Sequence, residues 1–179
     1  MLYLSEREIG FDAAEIGFPS IDNCRAIVLV TAGGLFGYHL FGVLSQTKIN
    51  TFVNFVNTHA HGNLKRRLYA ASYGPGPDEQ RAEIRSIAQT PALNFAGPVY
   101  WANVALVAVG SAYVNYVGIN HDTCALTART WSDAADSILA NKGPYAGGAN
   151  RTRDAGAAPA LMYTNISTAG LRAVYPTAI

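Results

Sequence analysis

From Cys24 to Val43 the chain reads as two strands that are apolar on both faces, folded about an Ala32-Gly33-Gly34 tip. Ile27, Leu29, Phe36, Tyr38 and Leu40 fall on one face, and Val28, Val30, Leu35, Phe41 and Val43 on the other. A hairpin buried on both sides belongs in the middle of a layered structure, so it predicts a central sheet covered above and below. The glycines suit a tight turn that needs positive φ.

Cys24 opens the first strand and His39 lies toward the end of the second. Side chains alternate faces with a period of two, and a hairpin pairs residues whose numbers have a constant sum. An even-length loop within Thr31 to Gly34 therefore puts the thiol and the imidazole on one face, and an odd loop separates them. A four-residue loop, Thr31 to Gly34, sets His39 opposite Ala26 and diagonal to Cys24, with about 7 to 8 Å between the Cβ atoms. A two-residue loop at Gly33-Gly34 sets His39 opposite Val28, too far from Cys24 without a bulge. Ala26 and Gly37 line the same face, and their small size leaves room for a substrate. A thiol and an imidazole within reach of each other suffice for nucleophilic attack on an amide.

A length of 179 residues with no break in composition predicts a single domain, 1–179. Only 14% of residues are charged and the formal net charge is +1, which gives no electrostatic basis for broad nucleic-acid or membrane-surface binding. The one basic cluster, Lys65-Arg66-Arg67, reads as a solvated edge or loop rather than a phosphate clamp. The first residues lack a secretory signal pattern and no segment has the length to cross a bilayer, so a soluble protein is expected. Two cysteines 100 positions apart are expected as free thiols.

Pro19 to Asn23 reads as a polar turn before the cysteine, whose backbone amides can face a developing oxyanion. Thr47 is expected to cap a helix carrying Ile49, Phe52, Val53 and Val56, with Gly62 as its stop. Leu68 to Tyr73 reads as a strand closed by Gly74-Pro75-Gly76-Pro77, and Asp78 to Ala88 as a second helix. Strands are expected over 99–109, 112–118 and 124–130, and Ser132 as the cap of a short helix through Leu139. Lys142 to Pro159 reads as a mobile loop, and Leu161 to Asn165 with Leu171 to Tyr175 as a closing hairpin. The fold class is α+β: a β-sandwich or mixed sheet with flanking helices, opening with the Cys-to-His hairpin.

Over roughly its first half, this text resembles the cysteine–histidine glutamine deamidases, which include the chemoreceptor (CheD-like) deamidases and the catalytic domain of cytotoxic necrotizing factor. The residues that carry the resemblance are Cys24-Arg-Ala-Ile-Val-Leu-Val, Gly33-Gly34 and Gly37-Tyr38-His39, followed in order by the helix at 48–57 and the strand Arg67 to Tyr73. It implies that Cys24 and His39 are catalytic, that no cofactor is used, and that a protein glutamine is converted to glutamate. It further implies a protein partner such as a small GTPase or a chemoreceptor-like helical protein, met in the bacterial cytoplasm or, for a toxin or effector, in a host cytosol. The family's small residue before the cysteine is replaced by Asp22-Asn23. Phe18 stands where the chemoreceptor branch has a threonine that orients the histidine. Ser20 or a backbone carbonyl is left to orient His39, with Asn23 and Cys24 amides as oxyanion donors.

Two further readings stand beside this one. Free cysteine is among the most buried residue types, and a non-catalytic protein-binding module would keep Cys24 as a small core residue. Cys124 reads as structural. His59 and His61, with His121 and Asp122, form the pattern of a zinc hydrolase, although two histidines at i and i+2 on a helix end suit capping better.

Overall fold

The computed structural model describes residues 1–74 and 78–179. Pro75-Gly76-Pro77, read from the sequence as part of a strand-closing turn, lie outside the described residues. Three strands precede the hairpin: β1 (Leu2–Tyr3), β2 (Glu8–Asp12) and β3 (Glu15–Ile21). The hairpin itself is β4 (Cys24–Thr31) and β5 (Gly34–Phe41). Then come α1 (Gln46–His59), β6 (Lys65–Ser72), α2 (Asp78–Ala88) and β7 (Val99–Asn103). The second half supplies β8 (Ala112–Ile119), β9 (Thr123–Thr130), α3 (Asp136–Leu139), β10 (Asn141–Pro144), β11 (Arg151–Arg153), β12 (Leu161–Asn165), β13 (Arg172–Val174) and β14 (Thr177–Ala178).

The class is α+β with mixed sheets, as the sequence predicts. One sheet has the order β11-β2-β5-β4-β6-β7-β14, a second β1-β3-β8-β9-β13, and β10 pairs with β12 alone. The hairpin does not open the fold but occupies the middle of the seven-stranded sheet. Both of its faces are covered. Cys24, Ala26, Val28, Val30 and Leu35 pack against Ile16, Phe18, Val114, Tyr116 and Leu126 of the five-stranded sheet. On the other side Ile27, Leu29, Phe36, Tyr38 and Leu40 pack against Ile49, Phe52, Val56, Ile84 and Ile87 of α1 and α2. Each such large apolar side chain, fully buried, contributes about 1.5–3 kcal/mol, which is why this double-sided run dictates the layering. The face assignment holds for every hairpin residue named from the sequence except Val43, which is exposed beyond the strand end.

The register is the one in which His39 pairs with Ala26. Pairing continues to Thr31 and Gly34, so the tip is reduced to Ala32-Gly33. Gly34 takes φ +142, and a Cβ there would meet the Ala13 Cα at 2.8 Å. α1 starts two residues earlier than expected: Ser45, not Thr47, caps it, its Oγ accepting from the Lys48 amide at 3.4 Å. His61 and Gly62, both with positive φ, end it.

Five other expectations are corrected. The segment from Pro19 is still strand: β3 runs to Ile21 through a bulge between Phe18 and Ile21, and only Asp22-Asn23 bends. The strand at 99 gives way at Val104 to a 3-10 turn in which the Asn103 side chain accepts from the Ala105 amide. Ser132 does not cap α3 through its hydroxyl; its backbone amide donates to Asp136 Oδ2 at 2.7 Å. Lys142 to Pro159 is structured in part, because β10 and β11 lie in it, and the late hairpin does not form: β12 pairs with β10, and β13 with β9. Among the described residues no helix is long and apolar enough to cross a membrane.

Candidate functional site

His39 is fully buried between the two sheets, and the chain's first turn holds it from two directions. Its ring Nδ1 lies 2.8 Å from the Leu4 carbonyl oxygen, and its own carbonyl accepts from the Arg7 amide at 2.9 Å. A carbonyl can only accept, so Nδ1 carries the hydrogen and Nε2 presents a lone pair. Nε2 is buried with no hydrogen-bond partner. Burial lowers the imidazole pKa to about 4, the Leu4 contact opposing, so the ring is neutral at physiological pH. The turn is fixed in turn by local bonds: the Leu4 amide donates to Gly17 O at 2.9 Å and the Ser5 amide to Glu8 Oε2 at 2.7 Å.

Cys24 lies on the same face of the sheet, across from Phe41 and diagonal to His39. Its thiol is 4.0 Å from Glu6 Oε1. Burial pushes the thiol up to about 12, the Glu6 and Asp22 carboxylates add to this, and Arg25 opposes it. The resting pair is thus a neutral thiol and a neutral imidazole, not an ion pair. A thiolate is therefore not preformed, and transfer of the thiol proton to Nε2 is uphill in the resting state.

The backbone-carbonyl alternative for orienting His39 is the one realised, and Leu4 supplies it. Ser20 is not bonded to the ring. It sits in the β3 bulge with φ +59, a conformation that is uncommon outside glycine, and lines a cavity of about 290 Å³ together with Ser5, Glu6, Arg153 and Tyr163. The Asn23 amide is engaged by the Asp22 side chain, so this oxyanion candidate is occupied at rest. Phe18, at the place of the chemoreceptor-branch threonine, lies edge-on to His39 with ring centroids 6.0 Å apart. The position is adjacent to the histidine, but it desolvates the ring where a hydroxyl would bond it.

Leu4 and Glu6 escape sequence reading altogether. A carbonyl leaves no side-chain signature, and Glu6 stands 18 residues before the cysteine it touches. No protein-family model matches the chain, and no curated protein matches it.

The zinc pattern does not assemble. His59 is held at Nδ1 by the Phe55 carbonyl at 2.8 Å with its ring against Phe55, and Asp122 pairs with Arg67 at 3.0 Å. Among the described residues no three His, Cys, Asp or Glu side chains gather into a cation site. Cys124 is a buried free thiol whose pKa is raised by burial.

Proposed function

We propose that the protein is a cysteine-dependent deamidase that converts a glutamine side chain of a protein substrate to glutamate. The observation that carries this reading is the single-tautomer imidazole: His39 is locked at Nδ1 by the Leu4 carbonyl, with a buried, unpartnered Nε2 on the face that holds Cys24. A core histidine with no role would be expected to satisfy both nitrogens, because a buried polar atom without a partner costs about 1–3 kcal/mol. The resemblance of the Cys24-to-His39 text to glutamine deamidases supports the same chemistry.

In this mechanism Nε2 takes the thiol proton as sulfur bonds to the carboxamide carbon and the carbonyl electrons move to oxygen. Amides at Asn23 and Cys24 stabilise that oxyanion once Asp22 releases Asn23. The oxyanion collapses, the C–N bond breaks, and the imidazolium proton leaves with ammonia. Water, deprotonated by the same Nε2, then adds to the thioester; the C–S bond breaks, sulfur recovers the proton, and the product is a carboxylic acid. No cofactor enters. A small GTPase and a chemoreceptor-like helical protein are the partners to try first, in a host cytosol or in the bacterial cytoplasm.

The test is incubation with a purified small GTPase and, separately, a chemoreceptor cytoplasmic fragment, read by peptide mass spectrometry for amide-to-acid conversion. Wild type is expected to convert one glutamine, and Cys24→Ser and His39→Gln are not. Conversion that persists in Cys24→Ser refutes the site.

One observation favours the binding-module reading: the Cys24 thiol is buried and sits near 12, as a core cysteine does. That reading predicts a Cys24→Ala protein that keeps all of its partner binding.

A further inference from the structure

Glu6 is the feature of the site that the deamidase chemistry leaves unused. Its carboxylate Oε1 lies 4.0 Å from the Cys24 sulfur, a long contact at the limit of a thiol hydrogen bond, while His39 Nε2, the acceptor that catalysis needs, has no partner. A thiol has one proton to give, so a bond to Glu6 and a bond to His39 are alternatives. Glu6 also lines the cavity of about 290 Å³ formed with Ser5, Ser20 and Arg153.

The cations nearby are otherwise engaged. Arg153 lies 3.8 Å from the buried Glu8 carboxylate, and the Arg7 guanidinium sits over the Phe41 ring at 5.1 Å. Among the described residues no ion pair to Glu6 is formed. Asp22, on the other side of Cys24, is likewise exposed, and its Oδ1 accepts only from the neighbouring Asn23 amide. Cys24 does not line this cavity, so Glu6 is the group that joins the two, an exposed carboxylate without a cation that faces the thiol on one side and the cavity on the other, placed to meet a positive charge.

Resting on the deamidase reading, we propose that Glu6 selects the substrate: the target glutamine lies beside a lysine or arginine whose cation pairs with Glu6 in this cavity, drawing the carboxylate off Cys24 and freeing the thiol proton for His39. Substrate charge and thiol activation are then one event. A glutamine flanked by acidic residues meets Glu6 and Asp22 as like charges and leaves the thiol latched. Burial of the thiol remains, so the cation removes part of the barrier to deprotonation rather than all of it.

The test uses the full chain and three small electrophiles of equal size: cationic chloroacetamidine, neutral chloroacetamide and anionic chloroacetate. Alkylation of Cys24 is followed by mass spectrometry, each rate being divided by that of the same reagent with glutathione. Wild type is expected to favour the cation over the neutral reagent about threefold to fivefold, the size of a partly exposed charge pair. Glu6→Gln is expected to abolish that preference and Glu6→Lys to reverse it; Glu6 is exposed, and matching urea midpoints confirm that both variants fold. A preference absent from wild type, or unchanged in Glu6→Gln, overturns the proposal while a reactive, His39-dependent Cys24 leaves the deamidase reading standing. A Cys24 that no reagent reaches in the folded chain overturns both.

Discussion

Because His39 titrates near 4 in the folded chain against an ordinary 6.5, the unfolded chain binds more protons between those values, and stability falls as pH drops through that window. From pH 7.5 to pH 5 the loss is about 2 kcal/mol. Glu8 acts with the opposite sign: its pKa is raised by burial, so its protonation on acidification favours the folded state. Comparing wild type with His39→Gln isolates the histidine. Urea-unfolding free energies at the two pH values are expected to fall by about 2 kcal/mol more in wild type than in the variant. Parallel losses would show that the ring is not buried neutral. Gly37 is the other sensitive residue here, because a Cβ on it would meet Leu4 Cδ1 at 2.7 Å and Ile16 Cδ1 at 3.0 Å. Gly37→Ala is expected to lower stability by about 1–3 kcal/mol. It is also expected to displace Leu4 from the imidazole, visible as a shift of the His39 ring signals in NMR. Unchanged ring signals would detach Leu4 from the role assigned to it.

At the scale of elements, the hairpin is tied to its surroundings by a buried charge. Arg25, on the face of β4 opposite Cys24, donates to Glu83 of α2 at 2.6 Å and to the Gly42 carbonyl at 2.8 Å. Its guanidinium is nearly buried, so Glu83→Gln leaves an uncompensated cation under α2 and is expected to destabilise by about 2–3 kcal/mol in urea unfolding. Arg25→Met together with Glu83→Gln is expected to recover much of that loss. A loss below about 0.5 kcal/mol in the single variant would mean that water, not Glu83, neutralises Arg25.

The same element shows what a sequence can and cannot disclose. Period-two alternation restricted the hairpin to registers that keep Cys24 and His39 on one face, because a slip by one residue would turn both apolar faces over. A slip by two keeps the faces, so the choice between Ala26 and Val28 opposite His39 was left to the turn, and the structure takes Ala26. The strands before it were not legible: Glu8 to Ile21 mixes Glu, Asp, Gly and Pro with its apolar residues, and β2 and β3 are strands through sheet pairing rather than propensity. β11 was hidden likewise, in a Gly- and Ala-rich stretch where the buried group is Arg151, bonded to the Tyr3 carbonyl at 2.7 Å. Cys24 and His39 could be read as a same-face pair because they are side chains on a predictable hairpin. Their orienting carbonyl and neighbouring carboxylate depend on where β1 docks.

Across the whole molecule, the candidate site is a product of layering: the imidazole is dry because the five-stranded sheet lies over the seven-stranded one. One polar bridge spans the gap near it, the Tyr116 hydroxyl donating to the Ala26 carbonyl at 3.1 Å. Tyr116→Phe is expected to lower stability by about 1 kcal/mol while leaving Cys24 chemistry intact, since the ring that packs on Phe18 is kept. A loss of thiol reactivity in that variant would show that the sheet spacing, and not only the first turn, positions the pair. The central claim is that Cys24 and His39 form a working pair, and iodoacetamide tests it most directly because the reagent is itself a primary carboxamide. Its rate of reaction with Cys24 in the native protein is measured by mass spectrometry in wild type and in His39→Gln. The account predicts modification of folded wild type at Cys24 and not at Cys124, slowed about a hundredfold in His39→Gln, as loss of a general base demands. Cys24 reacting only as fast as the protein unfolds, at one rate in both proteins, would contradict it.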